Sequence, residues 1–206
     1  MSVNNLEFLN VAGYKFEPLE NLDSVIPEFQ NKCDELGLKG SVYLSPNGIN
    51  FSIAGTEADI DTYIKFMEED ARFKDIPLKK TFSETQPFRR MKVRLKKEII
   101  SLGRDDINPS ELTGNYISPK ELFEMYEKKE DVIVLDTRNE YETRVGIFEN
   151  AIDLQLDTFR DFPSAIETLP VEYKDKQIVM YCTGGIRCEK ASAVMMKAGF
   201  SDVKQL

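Results

Sequence analysis

The sequence predicts two domains, a split βαβ unit of α+β class followed by an α/β unit with a parallel sheet. Three observations carry this. Residues 7–103 read as strand, helix, strand, strand, helix, strand. Residues 116–206 alternate short apolar runs with helical patterns, as a parallel sheet with helices on its faces requires. Between them "GRDDINPSELTGN" (103–115) is polar and holds both Gly and Pro. Domains are therefore expected over 1–103 and 116–206, with residues 104–115 as a linker.

The elements follow in order. "EFLNVAGYKF" (7–16) is the first strand. Leu22, Val25, Ile26, Phe29, Cys33 and Leu36 fall at helical spacing, and Gly37 ends the run. "GSVYLSPNGINFSIAG" (40–55) is two β-rich runs around "SPNG", which is hairpin chemistry. "SPNGIN" (45–50) is either a turn only or part of a domain interface. Thr56 caps the next helix, with Asp59 at the capping-box position and Ile60, Tyr63, Ile64 and Met67 as its apolar stripe. "PLKKTFSET" (77–85) predicts a short strand. "RRMKVRLKKEIISLG" (89–103) alternates, with Met91, Val93 and Leu95 assigned to the core and Arg90, Lys92, Arg94 and Lys96 to the other face. This order is the ferredoxin-like arrangement.

In the second half, Ser118-Pro119-Lys120-Glu121 is a capping box with proline at the first helical position. "DVIVLDT" (131–137) and "KQIVMYC" (176–182) are buried-strand runs. "DTFRDFPSAIETL" (157–169) predicts one or two helical pieces. Ala191, Val194, Met195 and Ala198 form a helical stripe that Gly199 terminates, and "DVKQL" begins a third strand.

Composition limits the function. The net charge is −9 and there is no histidine. A uniformly acidic surface repels nucleic acid, so an RNA site needs a local basic patch. Arg89, Arg90, Lys92, Arg94, Lys96 and Lys97 supply one, six basic residues among nine. Such a strand either contacts phosphates or carries charges that deter edge pairing. The missing histidine disfavours a serine–histidine triad, a zinc–histidine site or a facial-triad iron site, so no metal is expected. No apolar run approaches the roughly 18 residues of a membrane span. The N-terminus lacks the pattern of a secretory signal. With three cysteines, an odd number, a disulfide scaffold is disfavoured and a cytoplasmic setting is expected.

The chemistry concentrates in "YCTGGIRCEK" (181–190), between a buried strand and a helix that should begin about six residues after Cys182. Ligands in open α/β sheets bind at the carboxyl ends of strands. Gly184 and Gly185 permit inward-pointing N–H groups, the helix N-terminus adds partial positive charge, and Arg187 adds a full one. Thr183 and Ile186 complete the loop. These features favour a thiolate at Cys182, a nucleophile. Cys188 either resolves an oxidised or persulfidated Cys182 or simply packs in the first helical turn. Asp136 and Arg138 suit an ion pair that orders the neighbouring loop. Cys33 lies on an apolar helical face and is expected in the core.

Cys182 with Arg187 five residues on resembles the active-site loop of the rhodanese family, and "VIVLDTRNEYETRVGIFENAI" (132–152) resembles that family's first strand and following loop. The resemblance implies a persulfide-carrying cysteine at Cys182. The six-residue loop, Cys182 to Arg187, matches sulfurtransferases, since related phosphatases use one residue more. "YCTGGIRCEKA" together with "PFRRMKVRLKKEIISLG" resembles a narrower family, the bacterial tRNA uridine hydroxylases, over nearly the whole chain. That implies a rhodanese-like second domain, tRNA as partner, molecular oxygen as co-substrate and 5-hydroxyuridine at the wobble position as product. No cofactor is evident in the residues. Chains of that family continue into a cysteine-rich tail, so a truncated second domain is expected here. Two alternatives remain open: a sulfurtransferase carrying a persulfide on Cys182, and a non-enzymatic binding module. The sequence leaves the oligomeric state open.

Overall fold

A computed structural model describes residues 7–206. The chain forms two compact units that divide between Ile99 and Ile100.

The first unit contains β1 (Phe8–Phe16), α1 (Leu22–Glu35), β2 (Lys39–Ser45), β3 (Gly48–Gly55), α2 (Glu57–Glu68), β4 (Leu78–Ser83) and β5 (Met91–Leu95). The sheet order is β4-β1-β3-β2-β5. The first four strands pair antiparallel in the ferredoxin-like order, and β5 joins the free edge of β2 in parallel. Alternation along β1, β2 and β3 sends Val11, Val42, Phe51 and Ile53 to one face, where Phe29 of α1 and Ile60 and Tyr63 of α2 seal them. Phe29 makes edge contacts with Tyr63, Phe66 and Phe73. Thr56 caps α2 by accepting the Asp59 N–H at 3.2 Å. The turn at "SPNG" requires its glycine: Gly48 has φ +141°, and a Cβ there would lie 2.1 Å from the Lys15 carbonyl oxygen.

The strand expected over 89–103 spans only Met91–Leu95. Its partner β2 turns at Pro46, so after the bond from Lys96 N–H to the Leu44 carbonyl the ladder has no further partner. Asn47 and Asn50 side chains then bind the backbone of Ile99. Met91 and Val93 pack against the core, but Leu95 is 51% exposed, contrary to its core assignment. It ends an edge strand and is not among the residues packed on the helical layer.

The second unit contains β6 (Asn115–Tyr116), α3 (Pro119–Lys128), β7 (Val132–Asp136), α4 (Glu140–Thr143), β8 (Ile152–Asp153), α5 (Phe162–Ala165), β9 (Gln177–Tyr181), α6 (Ile186–Lys197) and β10 (Asp202–Gln205). All neighbours in the order β6-β10-β9-β7-β8 are parallel. The Ser118 capping box forms in full. Leu122 of α3 covers Val134, Val179 and Tyr181 on one face, while α6 covers Leu135, Ile178 and Met180 on the other. Leu102 and Ile107 are buried in this second core, so the predicted linker does not begin a free connector at residue 104.

α6 departs from a simple stripe. Residues Arg187 to Met195 are all buried, whereas Ala198 is exposed at the helix end. The polar members find partners: the Thr113 hydroxyl donates to Glu189 Oε2 at 2.7 Å, and the Gly114 N–H donates to Ser192 Oγ at 2.8 Å. Cys182 thus leaves the central strand of a parallel sheet beside a deeply buried helix.

Candidate active site

β9 ends at Tyr181 and α6 begins at Ile186, earlier than its apolar stripe implied. Arg187 and Cys188 therefore lie in the first helical turn. Gly185, at φ 89°, is the residue before the helix, and its N–H donates to Cys182 Sγ at 3.0 Å. The Cys182 thiol is held down to about 5, so the group is a thiolate at neutral pH. The largest cause is a hydrogen bond from the Cys188 thiol, which outweighs the opposing effect of burial. The Arg187 charge comes next, followed by the backbone N–H groups of Cys188 and Gly184.

Cys188 is complementary. It is fully buried, and burial pushes its thiol well above the usual range, so it keeps its proton and can donate. Thr137 Oγ1 lies 3.6 Å from Cys188 Sγ and donates to the Tyr181 carbonyl at 3.0 Å. The two cysteines are therefore not interchangeable: Cys182 is held low, and buried Cys188 is pushed up.

Arg187 is itself clamped. Its Nη1 and Nη2 donate to Glu142 Oε2 and Oε1 at 2.6 and 2.7 Å, and Thr183 Oγ1 donates to Glu142 Oε1 at 2.5 Å. Glu142 also accepts the Asn139 N–H at 3.1 Å. The Arg187 hydrogen bonds are the first cause that holds the Glu142 carboxyl down at about 2. One carboxylate on α4 thereby fixes two side chains of the cysteine loop.

Beneath the loop, Asp136 is fully buried. It accepts Arg138 Nη2 at 2.6 Å and the Tyr181 hydroxyl at 2.5 Å. The same hydroxyl accepts the Phe148 N–H at 3.1 Å, and the Phe148 ring stacks on Tyr181 with centroids 4.2 Å apart. Arg138 also donates to the Gly146 carbonyl at 2.6 Å. Asp136 and Arg138 hold β7, β9 and the intervening loop together.

Residues 8–99 match the UPF0176 acylphosphatase-like domain and residues 118–206 the rhodanese-like domain. A protein of Cupriavidus pinatubonensis named tRNA uridine(34) hydroxylase is 40% identical over 206 residues, 98% of this chain and 73% of that protein. One of Legionella pneumophila with the same name is 40% identical over 200 residues, 97% of this chain and 78% of that protein. The chain belongs to the tRNA uridine(34) hydroxylase family.

In this family member, the structure brings Cys182, Thr183, Gly184, Gly185, Ile186, Arg187 and Cys188 into one loop and helix turn. The six basic residues lie in the first unit. Arg89, Arg90, Arg94, Lys96 and Lys97 are exposed and Lys92 is half-buried. Register places Lys92 beside Ser41 and Arg94 beside Tyr43, on the face opposite buried Val42 and Leu44. The Lys96 ammonium sits 5.1 Å from the Tyr43 ring centroid. Among the described residues no group of three His, Cys, Asp or Glu side chains could hold a metal ion. Among them, too, no helix is long and apolar enough to cross a membrane.

Sequence reasoning missed Glu142 and the donor role of Cys188. Glu142 sits in the acidic run "NEYET", where nothing local distinguishes it from Glu140. A signal was present in the unmatched charge of Arg187, which a buried loop would have to neutralise.

Proposed function

We propose that this chain hydroxylates C5 of the uridine at position 34 of tRNA, with Cys182 as its nucleophile. The observation that carries the mechanism is the Cys182 thiolate, held by the Cys188 thiol and the loop N–H groups. The thiolate adds to C6 of the uracil ring, and the electron pair of the C5–C6 double bond moves toward C5 and the O4 carbonyl. C5 becomes nucleophilic and bonds to an oxygen atom from molecular oxygen. Loss of the C5 proton and departure of Cys182 restore the double bond and the thiolate. The overall insertion takes up two electrons and two protons from an external reductant, and the second oxygen atom leaves as water.

The protein's own residues prepare this step. Gly185 N–H and the Cys188 thiol disperse the thiolate charge, and the first turn of α6 aims further N–H groups at it. Glu142 orients Arg187, whose charge is among the causes that lower the Cys182 value. Lys92 and Arg94 of β5, with Lys96 just beyond it, offer phosphate contacts on an acidic protein. A reducing, cytoplasmic setting, in which Cys33, Cys182 and Cys188 stay free thiols, belongs to the same reading.

The test is nucleoside mass analysis of tRNA from cells lacking the gene. The proposal expects 5-hydroxyuridine and its derivatives to fall on deletion and return with the gene; unchanged levels refute it. The rhodanese loop keeps a second reading in view, sulfur transfer through a Cys182 persulfide. Rapid cyanide-dependent turnover of thiosulfate with unaltered 5-hydroxyuridine would establish that reading instead.

A further inference from the structure

The segment from Tyr141 to Phe148 presents apolar side chains to solvent while its backbone is tied down. Tyr141 is 69% exposed, Val145 90%, Ile147 47% and Phe148 41%. Arg138 holds the Gly146 carbonyl, Tyr181 holds the Phe148 N–H, and the Tyr126 hydroxyl holds the Glu149 carbonyl at 3.0 Å. Arg144 pairs with Glu140 at 2.5 Å across one turn. Exposed apolar side chains gathered on one tied-down segment mark a contact site more often than scattered residues do.

Its position is specific. Tyr141 adjoins Glu142, whose carboxylate binds Thr183 and Arg187, both in the Cys182 loop. Phe148 lies against Tyr181, the residue before Cys182, and leaves part of its ring uncovered. The segment thus adjoins residues that hold the Cys182 loop. Its charges are mixed: Glu140, Glu142 and Glu149 flank it, with Arg138 and Arg144 already paired to carboxylates. With Glu140 paired to Arg144 and Glu142 to Arg187, π-faces and aliphatic groups are the available contacts.

We propose that Tyr141, Val145 and Phe148 form a stacking surface for unpaired nucleobases that flank the target uridine. The proposal rests on the reading of Cys182 as acting on an RNA base. A uridine reached by a nucleophile at C6 must be unstacked from its neighbours, and a surface that stacks those neighbours offsets that cost.

The experiment measures the affinity of a short anticodon stem–loop RNA with uridine at the first anticodon position, beside a duplex RNA control. Tyr141→Ala is expected to weaken stem–loop binding about tenfold, in the range of base–aromatic stacking. Val145→Ser should weaken it by less, and Tyr141→Phe should retain wild-type affinity. Duplex binding should not change in any variant. The pH dependence of Cys182 alkylation serves as the check that each variant folds. Stem–loop affinity that survives Tyr141→Ala and Val145→Ser together overturns the proposal. So does sedimentation showing a wild-type dimer that Tyr141→Ala dissociates, since the surface would then face a second copy. A wild-type protein that binds neither RNA refutes the RNA reading itself, and this inference with it.

Discussion

The Glu142 carboxylate receives both terminal nitrogens of Arg187, at 2.6 and 2.7 Å, in a largely buried ion pair. It links the loop after β7 to the cysteine loop after β9. Glu142→Gln removes the carboxylate paired with buried Arg187 and leaves the Cys182 thiolate as its nearby opposite charge. Removing one partner of a buried pair costs about 3 kcal/mol. Urea denaturation should show a lower midpoint with an unchanged slope.

The same pair makes stability depend on pH. Glu142 lies at about 2 in the folded chain, below its usual value near 4.5. A lowered carboxylate stabilises the fold fully above the unfolded value, and the contribution is lost as pH falls through the folded one. Wild type should therefore lose stability relative to Glu142→Gln as pH drops from about 5 toward 2. Parallel stability curves for the two proteins over that window would remove Glu142 from the account.

The Cys188 thiol is the first cause of the lowered Cys182 value. Cys188→Ala removes the largest cause of the lowered value and should move the midpoint of Cys182 alkylation upward from about 5. Cys188→Ser keeps a donor and should shift it less. Rates of iodoacetamide modification across pH, with the modified cysteine located by mass analysis, distinguish the two. A midpoint that does not move in Cys188→Ala contradicts the hydrogen-bonded pair.

The exposed strand should act through phosphates. Charge reversal at Arg90, Lys92 and Arg94 is expected to weaken tRNA binding and flatten its salt dependence. The log–log slope should fall by about one unit for each phosphate no longer neutralised. Unchanged affinity and slope would return this edge to the role of deterring strand pairing.

Local chemistry was legible in the sequence. The Ser118 capping box, the "SPNG" turn and the glycine-bearing loop after Cys182 each depend on neighbours a few residues away. β6 and β8 were not legible, because two-residue strands are too short to show a period. Leu95 followed the strict alternation of its strand, but the ladder ends there and the helical layer does not cover it. In the site, Cys182 and Arg187 stand out by their spacing. Glu142 does not, since its role exists only once β7 and β9 lie side by side. Sequence also conceals the main source of the lowered Cys182 value. Arg187 carries the full charge, yet the Cys188 thiol is the first cause, and spacing alone does not rank the two.

The central claim is that the Cys182 thiolate performs the modification of uridine 34. Its most direct test is 5-hydroxyuridine content in tRNA from a deletion strain complemented with wild type or with Cys182→Ser at equal protein abundance. The account predicts full restoration by wild type and none by Cys182→Ser. Full restoration by Cys182→Ser would contradict it.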